Sequence, residues 1–499
     1  HHSFKAFQIF KGNVNDASEI SNVKWGSCIH DYHDFLAKLK DDPTLRIPFQ
    51  DADSLQKVLD VMKDWTPSDD NSIAFARFVC NYLYPTADAD PQPFIPTSGD
   101  VVQIPNDGAG YYLIVDTTDF SSGDDYHACN SFLLNVTQAP WNLPITPKAE
   151  NPSVKKEVFD NPDGTNEAGF SSSADHAINE EFQFKLTATL PASYENDRAY
   201  DYYEKYTVTF HDTLSAGITF DRWDTVVINN GGDDITIPAK NYHSDASNQD
   251  LTLSIENVKT CASGLNLNNG ATITVTYTAH LNDNAFVNTA TNGDTKNTNK
   301  VYLTYSNNPR INTSVGKTPE SEVYVFTYQL NNTKYRDEVN ENNKLAGAGF
   351  RLYSDIACNE EQEIKLKQNE DGTYSRDFST EGKGVEMKSA EDGTFNVKGL
   401  DAGTYYLKET STPTGFNTCP VTTVVIKANH TGNNVDLTGS TINSESVGAS
   451  GLSTTIVNKQ GTTLPSTGGI GTTIFYVIGG GLMVAAIVLL VTKKRMENK

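Results

Sequence analysis

Near the middle of the chain runs the stretch Phe182-Gln183-Phe184-Lys185-Leu186-Thr187-Ala188-Thr189-Leu190. Apolar side chains occupy every second position, and this period of two indicates a β-strand with one buried face. Two further stretches repeat the pattern, from Tyr206 to Phe210 and from Ala271 to Tyr277, and Asp, Asn and Gly separate the stretches. Strands of this kind predict an antiparallel β-sandwich over residues 148–309.

Three polar side chains fall on the apolar faces of these strands. Lys156, Asp212 and Asn299 each share a face with apolar residues two positions away in sequence. Burial favours a neutral, nucleophilic lysine and a protonated aspartate. Lys156 is then able to attack the Asn299 amide while Asp212 polarises the carbonyl, which releases ammonia and leaves an isopeptide bond without a cofactor.

The same pattern fits two plainer interpretations. One is an ordinary buried ion pair, and the other is three surface residues on edge strands. The pattern alone does not choose among the three. Lys155 and Asn297 are the neighbours that would replace Lys156 and Asn299 if the strand faces were assigned differently.

Residues 310–461 repeat the plan of short strands and turns. We predict strands from Val323 to Leu330, from Leu345 to Tyr353 and from Gly403 to Glu409, the last ended by Thr412-Pro413. The first of these leads directly to Lys334. A second β-sandwich is therefore expected.

Residues 1–147 mix the two periodicities. The stretch from Phe4 to Phe10 alternates like a half-buried strand, and strands are also expected from Tyr111 to Val115 and from Ser131 to Val136. A helix is expected to open at Asp53-Ser54, and another covers Ile73 to Leu83. This region is predicted to be α+β.

A short polar stretch in this region carries two histidines and two aspartates, His30, Asp31, His33 and Asp34. No further ligand residues lie nearby in sequence. We interpret the four as solvated side chains, and we predict neither a metal site nor a cofactor.

The C-terminus combines a hexapeptide, an apolar run and a basic tail. Leu464-Pro465-Ser466-Thr467-Gly468-Gly469 precedes an uncharged run over residues 470–491, and Lys493-Lys494-Arg495 follows. A helix of this length spans about 33 Å, the hydrocarbon thickness of a bilayer. The run is therefore predicted to cross a membrane once, with the basic tail on the cytoplasmic side.

Composition agrees with an exported surface protein. The formal net charge of −24 over 499 residues excludes nucleic acid and anionic lipid as expected partners, because both would repel the chain. The sequence begins His1-His2-Ser3 without a Met or an apolar leader. Since an exported protein needs a signal peptide, we expect a processed form or a piece of a longer chain.

The C-terminal arrangement resembles the cell-wall sorting signal of Gram-positive surface proteins, the Leu-Pro-x-Thr-Gly family processed by sortases. The matching motif is Leu464, Pro465, Ser466, Thr467 and Gly468. The resemblance implies cleavage between Thr467 and Gly468 and transfer of the Thr467 carboxyl to an amine.

Two stretches of the first region resemble sortase-assembled fimbrial backbone subunits. The opening Phe-Lys-Ala-Phe-Gln-Ile-Phe-Lys-Gly looks like the start of their N-terminal domain, and Thr146-Pro147-Lys148 is similar to their pilin motif. The family commonly has Tyr where Thr146 stands and Asn where Ala149 stands. The resemblance implies that Lys148 supplies the amine that receives Thr467 of the next subunit.

The two predicted sandwiches resemble isopeptide-forming domains. Val-Lys-Lys-Glu-Val (154–158), Phe-His-Asp-Thr-Leu-Ser-Ala-Gly (210–217) and Asn-Lys-Val-Tyr-Leu-Thr-Tyr-Ser-Asn-Asn-Pro (299–309) are similar to the fimbrial isopeptide domain. The third region looks like an immunoglobulin-like Cna B-type domain, in which Glu409 is the acid, Lys334 the linking lysine and Asn458 the final asparagine. Thr412 departs from the family's usual Ala.

The six cysteines allow one expected pair. Cys358 lies just past one predicted strand and Cys419 just before another, so we expect a disulfide between them. Cys28, Cys80, Cys129 and Cys261 leave an odd number in each of the other two regions, and their pairing cannot be assigned from the sequence.

Together these expectations describe a structural subunit with its sorting signal at 462–499. Joining Thr467 of one copy to Lys148 of the next gives a head-to-tail filament. The expected partners are a sortase, further copies of the chain, minor pilins and peptidoglycan. The alternative is a singly anchored adhesin that binds a host or matrix ligand. An enzyme is disfavoured because the sequence lacks hydrolase, metalloprotease and cysteine-protease signatures.

Overall fold

The computed structural model describes residues 2–16, 18–66, 69–86, 89–98, 101–118, 128–129, 131–138, 140–145, 151–162, 168–191, 203–263, 265, 267, 271–288, 293–294, 296–311, 313–379, 382–447, 451–461 and single positions between 479 and 493. The chain divides into two units. The first comprises His1–Gln329 with Lys398–Gly403 and Ile426–Gly439, and the second comprises Leu330–Val397, Thr404–Val425 and Ser440–Lys499. Residues 310–329, which the sequence analysis assigns to the third region, thus lie in the first unit.

The N-terminal part of the first unit combines one sheet with helices. Its elements are β1 (Phe4–Val14), β2 (Ile20–Trp25), α1 (Tyr32–Asp41), α2 (Leu55–Met62), α3 (Asp70–Leu83), β3 (Ile95–Ser98), β4 (Val101–Ile104), β5 (Gly110–Asp116), β6 (Ser131–Val136) and β7 (Trp141–Pro144). The sheet has the order β6-β5-β1-β3-β4-β7, with β2 paired to β1. The predicted helices and strands of this region are confirmed, with α2 beginning one residue after Ser54.

The strand β1 is buried on both faces, so the prediction of a half-buried strand was wrong. Phe7 and Ile9 pack into a cluster with side chains of α1, α2 and α3. Phe4 and Ala6 point the other way and pack against residues of β4, β5 and β7. Apolar partners cover both faces because the helices lie on one side and the edge strands fold back over the other.

One aspartate of the stretch His30, Asp31, His33 and Asp34 has a structural role at a helix terminus. Asp31 is the N-cap of α1, and its carboxylate accepts hydrogen bonds from the backbone N–H groups of His33 and Asp34. These are two of the donors that an α-helix leaves unsatisfied at its start.

The remainder of the first unit is a two-sheet sandwich. Its strands are β8 (Ser153–Asp160), β9 (Gly169–Ser171), β10 (Ser173–Asp175), β11 (Glu181–Thr189), β12 (Val208–Leu214), β13 (Ile218–Asn229), β14 (Asp234–Thr236), β15 (His243–Ser247), β16 (Asp250–Ile255), β17 (Thr272–Leu281), β18 (Gly293–Asp294), β19 (Thr298–Ser306), β20 (Val315–Lys317) and β21 (Ser321–Phe326). One sheet has the order β14-β13-β17-β11-β8-β9. The other has the order β10-β21-β19-β12-β16-β15, with β20 paired to β19. A single turn of 3₁₀ helix covers Ala239–Asn241.

The two sheets share one apolar core. Phe184 and Tyr277 enter it from the first sheet, and Phe210 and Leu303 enter it from the second. The strict alternation of exposed and buried residues along β11 and β12 follows the period of two read from the sequence. The sandwich predicted for this region is confirmed.

The second unit is also built mainly from strands. The remaining strands of the chain are β22 (Tyr328–Arg336), β23 (Gly349–Tyr353), β24 (Glu363–Ile364), β25 (Leu366–Gln368), β26 (Tyr374–Arg376), β27 (Met387–Lys388), β28 (Val397–Leu400), β29 (Gly403–Ser411), β30 (Thr422–Ile426), β31 (Asn429–Thr431), β32 (Asn434–Asp436), β33 (Thr441–Ile442), β34 (Glu445–Ser446) and β35 (Ser453–Asn458). One sheet has the order β25-β26-β28-β22-β35. The other has the order β24-β23-β29-β30-β33-β34, with β27 paired to β23. The strands β31 and β32 lie in the first unit and form a three-stranded sheet with β18, in the order β18-β32-β31.

Candidate functional site

The first candidate site lies in the core of the sandwich of the first unit. Lys156 on β8 comes from one sheet, whereas Asp212 on β12 and Asn299 on β19 come from the other. All three face inward because each occupies a buried position of its alternating strand. Their exposed fractions are 2%, 2% and 0%.

A tyrosine hydroxyl joins the three groups. The Lys156 ammonium donates hydrogen bonds to Asp212 Oδ2 and, at 3.1 Å, to the Tyr277 hydroxyl. That hydroxyl donates to Asp212 Oδ1 at 3.2 Å and accepts from Asn299 Nδ2 at 2.6 Å. The lysine nitrogen and the asparagine amide thus lie within hydrogen-bond distance of the same oxygen atom.

Burial changes the protonation of this site in the direction that amide chemistry needs. Desolvation lowers the pKa of Lys156 to about 8, although the adjacent Asp212 carboxylate opposes the shift. Desolvation raises the pKa of Asp212, again against the opposing effect of Lys156. Both shifts favour a neutral amine beside a protonated acid, which is the pair that nucleophilic attack on an amide requires.

Only the nitrogen of the Asn299 amide has a hydrogen-bond partner among the described residues. Its Oδ1 atom is buried and has no hydrogen-bond partner among the described residues. An unpaired buried carbonyl oxygen costs about 1–3 kcal/mol.

A second cluster of the same composition lies in the second unit. The Lys334 ammonium on β22 donates to Asn458 Oδ1 on β35 at 2.5 Å, and Asn458 Nδ2 donates to Glu409 Oε1 on β29 at 2.7 Å. Lys334 lies 3.7 Å from the same carboxylate oxygen. Lys334 and Asn458 are fully buried, and burial lowers the pKa of Lys334.

The strand arrangement of the second cluster differs from that of the first. Lys334 and Asn458 lie on neighbouring parallel strands of one sheet, in which Lys334 is paired with Ile456 and Arg336 with Asn458. Glu409 faces them from the other sheet. The first cluster therefore joins two sheets, whereas a bond in the second would join two strands of a single sheet.

The alternative residues lie elsewhere. Lys155 is exposed and forms an ion pair with Glu157 at 2.7 Å. Asn297 is buried, but its amide binds backbone groups: it accepts from Phe286 N and donates to the carbonyl oxygens of Phe286 and Val325. Lys156 and Asn299 therefore lie together at the first cluster, whereas their neighbours Lys155 and Asn297 do not take part in it.

Two residues of these clusters were missed from the sequence. Tyr277 ends one of the alternating apolar stretches, and its hydroxyl contacts every polar group of the first cluster. Cys419 lies at the second cluster, where its backbone N–H donates to Glu409 Oε2 at 2.8 Å and its thiol faces Lys334 and Glu409. The sequence signal for Tyr277 was a tyrosine on the inward face of a strand, opposite a buried lysine. No signal in the sequence indicated Cys419.

The predicted disulfide between Cys358 and Cys419 is not formed, and both thiols are free. Cys419 lies beside Glu409, whereas Cys358 feels the charge of Lys408, the preceding residue on β29. The Cys358 thiol contacts the backbone carbonyl oxygen of Ile356 at 3.7 Å. The two thiols thus have different surroundings, and they are not paired with each other.

The residues predicted to link subunits lie outside the described part of the chain. These are Lys148 and the motif residues Leu464, Pro465, Ser466, Thr467 and Gly468. Most of the predicted membrane segment at 470–491 also lies outside it. Among the described residues, no helix is long and apolar enough to cross a membrane.

Comparisons with known proteins match two parts of the chain. Residues 328–441 match the SpaA family, described as a prealbumin-like fold domain. Residues 456–498 match the LPXTG cell wall anchor motif. No curated protein matches the chain.

Several solved structures are similar to the chain at low identity. The T6 backbone pilin of serotype M6 Streptococcus pyogenes is 17% identical, with 92% of this chain and 96% of that chain covered and a TM-score of 0.49. The full-length major pilin SpaD from Corynebacterium diphtheriae is 15% identical, with 93% and 90% covered and a TM-score of 0.42. The group B streptococcus pilus 2b backbone protein is 21% identical, with 62% and 99% covered and a TM-score of 0.43.

The two family matches cover two of the features on which the resemblance to backbone pilins was based, the β-domain before the C-terminus and the sorting signal that follows it. The chain therefore carries a prealbumin-like domain and an LPXTG cell wall anchor motif, which make it a cell-wall-anchored surface protein of Gram-positive bacteria.

Proposed function

We propose that this chain is the repeating structural subunit of a covalent surface filament, and that each subunit is reinforced by two internal isopeptide bonds. The observation that carries the proposal is the pair of buried Lys–acid–Asn clusters within a chain that ends in a cell-wall anchor. A buried lysine, acid and amide in contact are costly to retain unless they react or are closely paired, and two independent domains contain the same set.

The reaction at the first cluster needs only groups of this chain. The neutral Lys156 amine attacks Asn299 Cγ, while the Asp212 proton moves towards the carbonyl oxygen. The carbonyl then reforms, the bond from Cγ to Nδ2 breaks, and the proton lost by the amine leaves with ammonia. One N–C bond forms as another breaks, and no oxidant or cofactor is consumed. Fixed geometry supplies the rate enhancement.

The same steps apply to Lys334, Asn458 and Glu409. The lysine nitrogen contacts the amide oxygen at 2.5 Å, and the carboxyl group binds the amide nitrogen that would leave. Glu409 is thus positioned to give a proton to the departing ammonia. This difference from the first cluster follows from the opposite orientation of the Asn458 amide.

Intact mass tests both bonds. The full chain, produced without a sortase, should weigh about 34 Da less than its sequence mass, because each bond releases one ammonia of about 17 Da. Asp212→Ala and Glu409→Ala should each halve the deficit, and the double variant should abolish it. An unshifted wild-type mass would contradict the proposed bonds.

Polymerisation is tested separately. Coexpression with a pilus-type sortase should give a ladder of covalent multimers that survives boiling in detergent. Thr467→Ala and Lys148→Ala should both abolish the ladder. Lys155→Ala is the matched control, because Lys155 is an exposed lysine a few residues away and its loss should leave the ladder intact. A ladder that persists in Lys148→Ala would assign the acceptor amine to another lysine.

One observation favours the alternative of a singly anchored adhesin. The N-terminal part of the first unit has a pocket of 700 Å³ lined largely by apolar and aromatic side chains, among them Phe10, Leu59, Trp65 and Tyr111. Pockets of this size accommodate ligands. A single anchored species in cell-wall extracts, with no multimers in the presence of the sortase, would favour this function over the filament.

A further inference from the structure

A second type of polar cluster lies in the first unit, away from the lysine sites. It consists of Asp160 at the end of β8, Asp175 at the end of β10 and His430 on β31. One atom from each, two carboxylate oxygens and one imidazole nitrogen, lie within 4.8 Å of one another. Asp160 is 4% exposed and Asp175 is 0% exposed.

Each of the three side chains is held in place through its other polar atom. Asp160 Oδ1 accepts from the Asp175 backbone N–H at 3.2 Å, and Asp175 Oδ2 accepts from the Tyr328 hydroxyl at 2.7 Å. His430 Nδ1 is 2.8 Å from Ser173 Oγ. Supporting contacts of this kind orient metal ligands and fix the tautomer of a coordinating histidine.

The second polar atoms of the three side chains lie close to one another. His430 Nε2 lies 3.4 Å from Asp160 Oδ2 and 4.0 Å from Asp175 Oδ1. Around a tetrahedral ion with bonds of about 2.1 Å, neighbouring ligand atoms are about 3.4 Å apart. The spacing therefore suits a small ion bound at the centre of the three atoms after little movement.

One ligand atom has no other use within the described residues. Asp175 Oδ1 is buried and has no hydrogen-bond partner among them. Two carboxylates sit here with one imidazole, and burying such charge without compensation is costly.

We propose that Asp160, Asp175 and His430 bind a divalent transition-metal ion, for which Zn²⁺ is the best fit. An imidazole nitrogen with two carboxylate oxygens suits zinc, whereas calcium and magnesium prefer sites made of oxygen atoms alone. A pocket of 370 Å³ lined by Asp160, His430 and residues 169–173 leads to the cluster. It gives the ion an entry path and leaves room for water as a fourth ligand.

The site would link parts of the chain that are distant in sequence. Asp160 and His430 are separated by 270 residues, and β31 belongs to the first unit although the sequence around it belongs to the third predicted region. A bound ion would fasten β31 to β8 and β10 at one point. Its expected consequence is structural, because metal that binds only the folded chain raises the midpoint of unfolding.

A neighbouring group of three residues serves as a comparison for the proposed metal site. His176, Glu180 and Asp401 also lie within 4.8 Å of one another. There, however, the two oxygens of Glu180 accept from Ala177 N and Asn161 Nδ2. Both carboxylate oxygens of this glutamate are therefore engaged by protein donors, unlike Asp175 Oδ1.

The test is isothermal titration calorimetry, in which Zn²⁺ is added to the metal-free full chain in detergent. Wild type should bind one equivalent, and Asp175→Asn and His430→Gln should each weaken binding at least tenfold. Glu180→Gln and His280→Gln are the controls and should bind like wild type, since His280 pairs with Asp221 elsewhere in the unit. Loss of binding in Glu180→Gln but not in Asp175→Asn would overturn the assignment.

A second measurement does not depend on the variants folding. Wild type loaded with Co²⁺ should give the intense visible absorption of a tetrahedral ion, and one equivalent of Zn²⁺ should displace it and raise the unfolding midpoint. Absence of stoichiometric Zn²⁺ binding by wild type refutes the site. Binding of Ca²⁺ in place of Zn²⁺, with equal effect on the unfolding midpoint, also refutes it.

Discussion

Asn299 and Asn297 allow the cross-link to be tested within one short segment. Both are buried asparagines two residues apart. Only Asn299 contacts the Tyr277 hydroxyl that Lys156 also binds. Asn299→Ala removes the amide that the lysine would attack, whereas Asn297→Ala removes an amide that binds the backbone groups of Phe286 and Val325.

The expected loss of stability is large for Asn299→Ala. A bond between Lys156 and Asn299 closes a loop of about 140 residues, and the chain-entropy estimate for a cross-link of that span is about 5 kcal/mol. For a domain of 150–250 residues each kcal/mol shifts the midpoint by about 2–4 °C, so the midpoint should fall by roughly 10–20 °C. Asn297→Ala leaves backbone groups unpaired and should cost about 1–3 kcal/mol.

Two measurements distinguish loss of the cross-link from an ordinary loss of stability. Intact mass should show that Asn299→Ala has lost one deficit of about 17 Da and that Asn297→Ala has kept it. Denaturant unfolding should show a steeper dependence on denaturant for Asn299→Ala alone, because an unfolded chain without the cross-link exposes more surface. A retained deficit in Asn299→Ala, or a lost one in Asn297→Ala, would refute the assignment.

Further predictions concern the groups around the two lysines. Tyr277→Phe should slow bond formation in the first unit without affecting the second, which a time course of intact mass on nascent chains measures. Because the Lys156 pKa is lowered to about 8, the neutral amine is about a tenth of the population at pH 7 and rises with pH. Bond formation should therefore accelerate from pH 6 towards pH 8, and it should slow again once Asp212, whose pKa is raised by burial, loses the proton that the reaction also requires. A rate that does not change with pH would contradict control by these two groups. Alkylation after unfolding without reductant should label both Cys358 and Cys419. If neither cysteine is labelled, the two form the disulfide that the sequence predicted.

The parity of the strands made the first cluster predictable. Lys156, Asp212 and Asn299 could be placed inside the sandwich because a period of two assigns each residue to a face once the apolar face is known. That argument does not say which inward residues meet. The contact through Tyr277 depends on the register between β11 and β17 and between β12 and β19, which is set by hydrogen bonding across the sheets and is not written in any one strand.

The errors and omissions have related causes. The disulfide between Cys358 and Cys419 was inferred from positions along the chain, whereas the distance between the two β-carbons in the folded domain decides whether a disulfide forms. The cluster of Asp160, Asp175 and His430 was missed because its members lie on three different strands, and His430 is far in sequence from the two aspartates. Sequence periodicity describes single elements, and sites built across elements require the packing.

The placement of the two lysine clusters along the chain gives the proposed bonds a mechanical meaning. Lys156 lies shortly after Lys148, and Asn458 lies shortly before Thr467. With both bonds formed, tension between the two linkage residues would pass from Lys156 directly to Asn299 and from Lys334 directly to Asn458.

The segments enclosed by the bonds, roughly 140 and 124 residues long, would then carry no force. Unfolded under tension, they would lengthen the subunit by about 3.5 Å per residue, or by roughly 900 Å in total. A filament whose subunits each yield that length cannot hold a cell at a fixed distance from a surface. The pairing of the first inward lysine of each sandwich with an asparagine on its last long strand is therefore the arrangement that limits extension most, and it explains why both domains use strands at their ends and not neighbours in sequence.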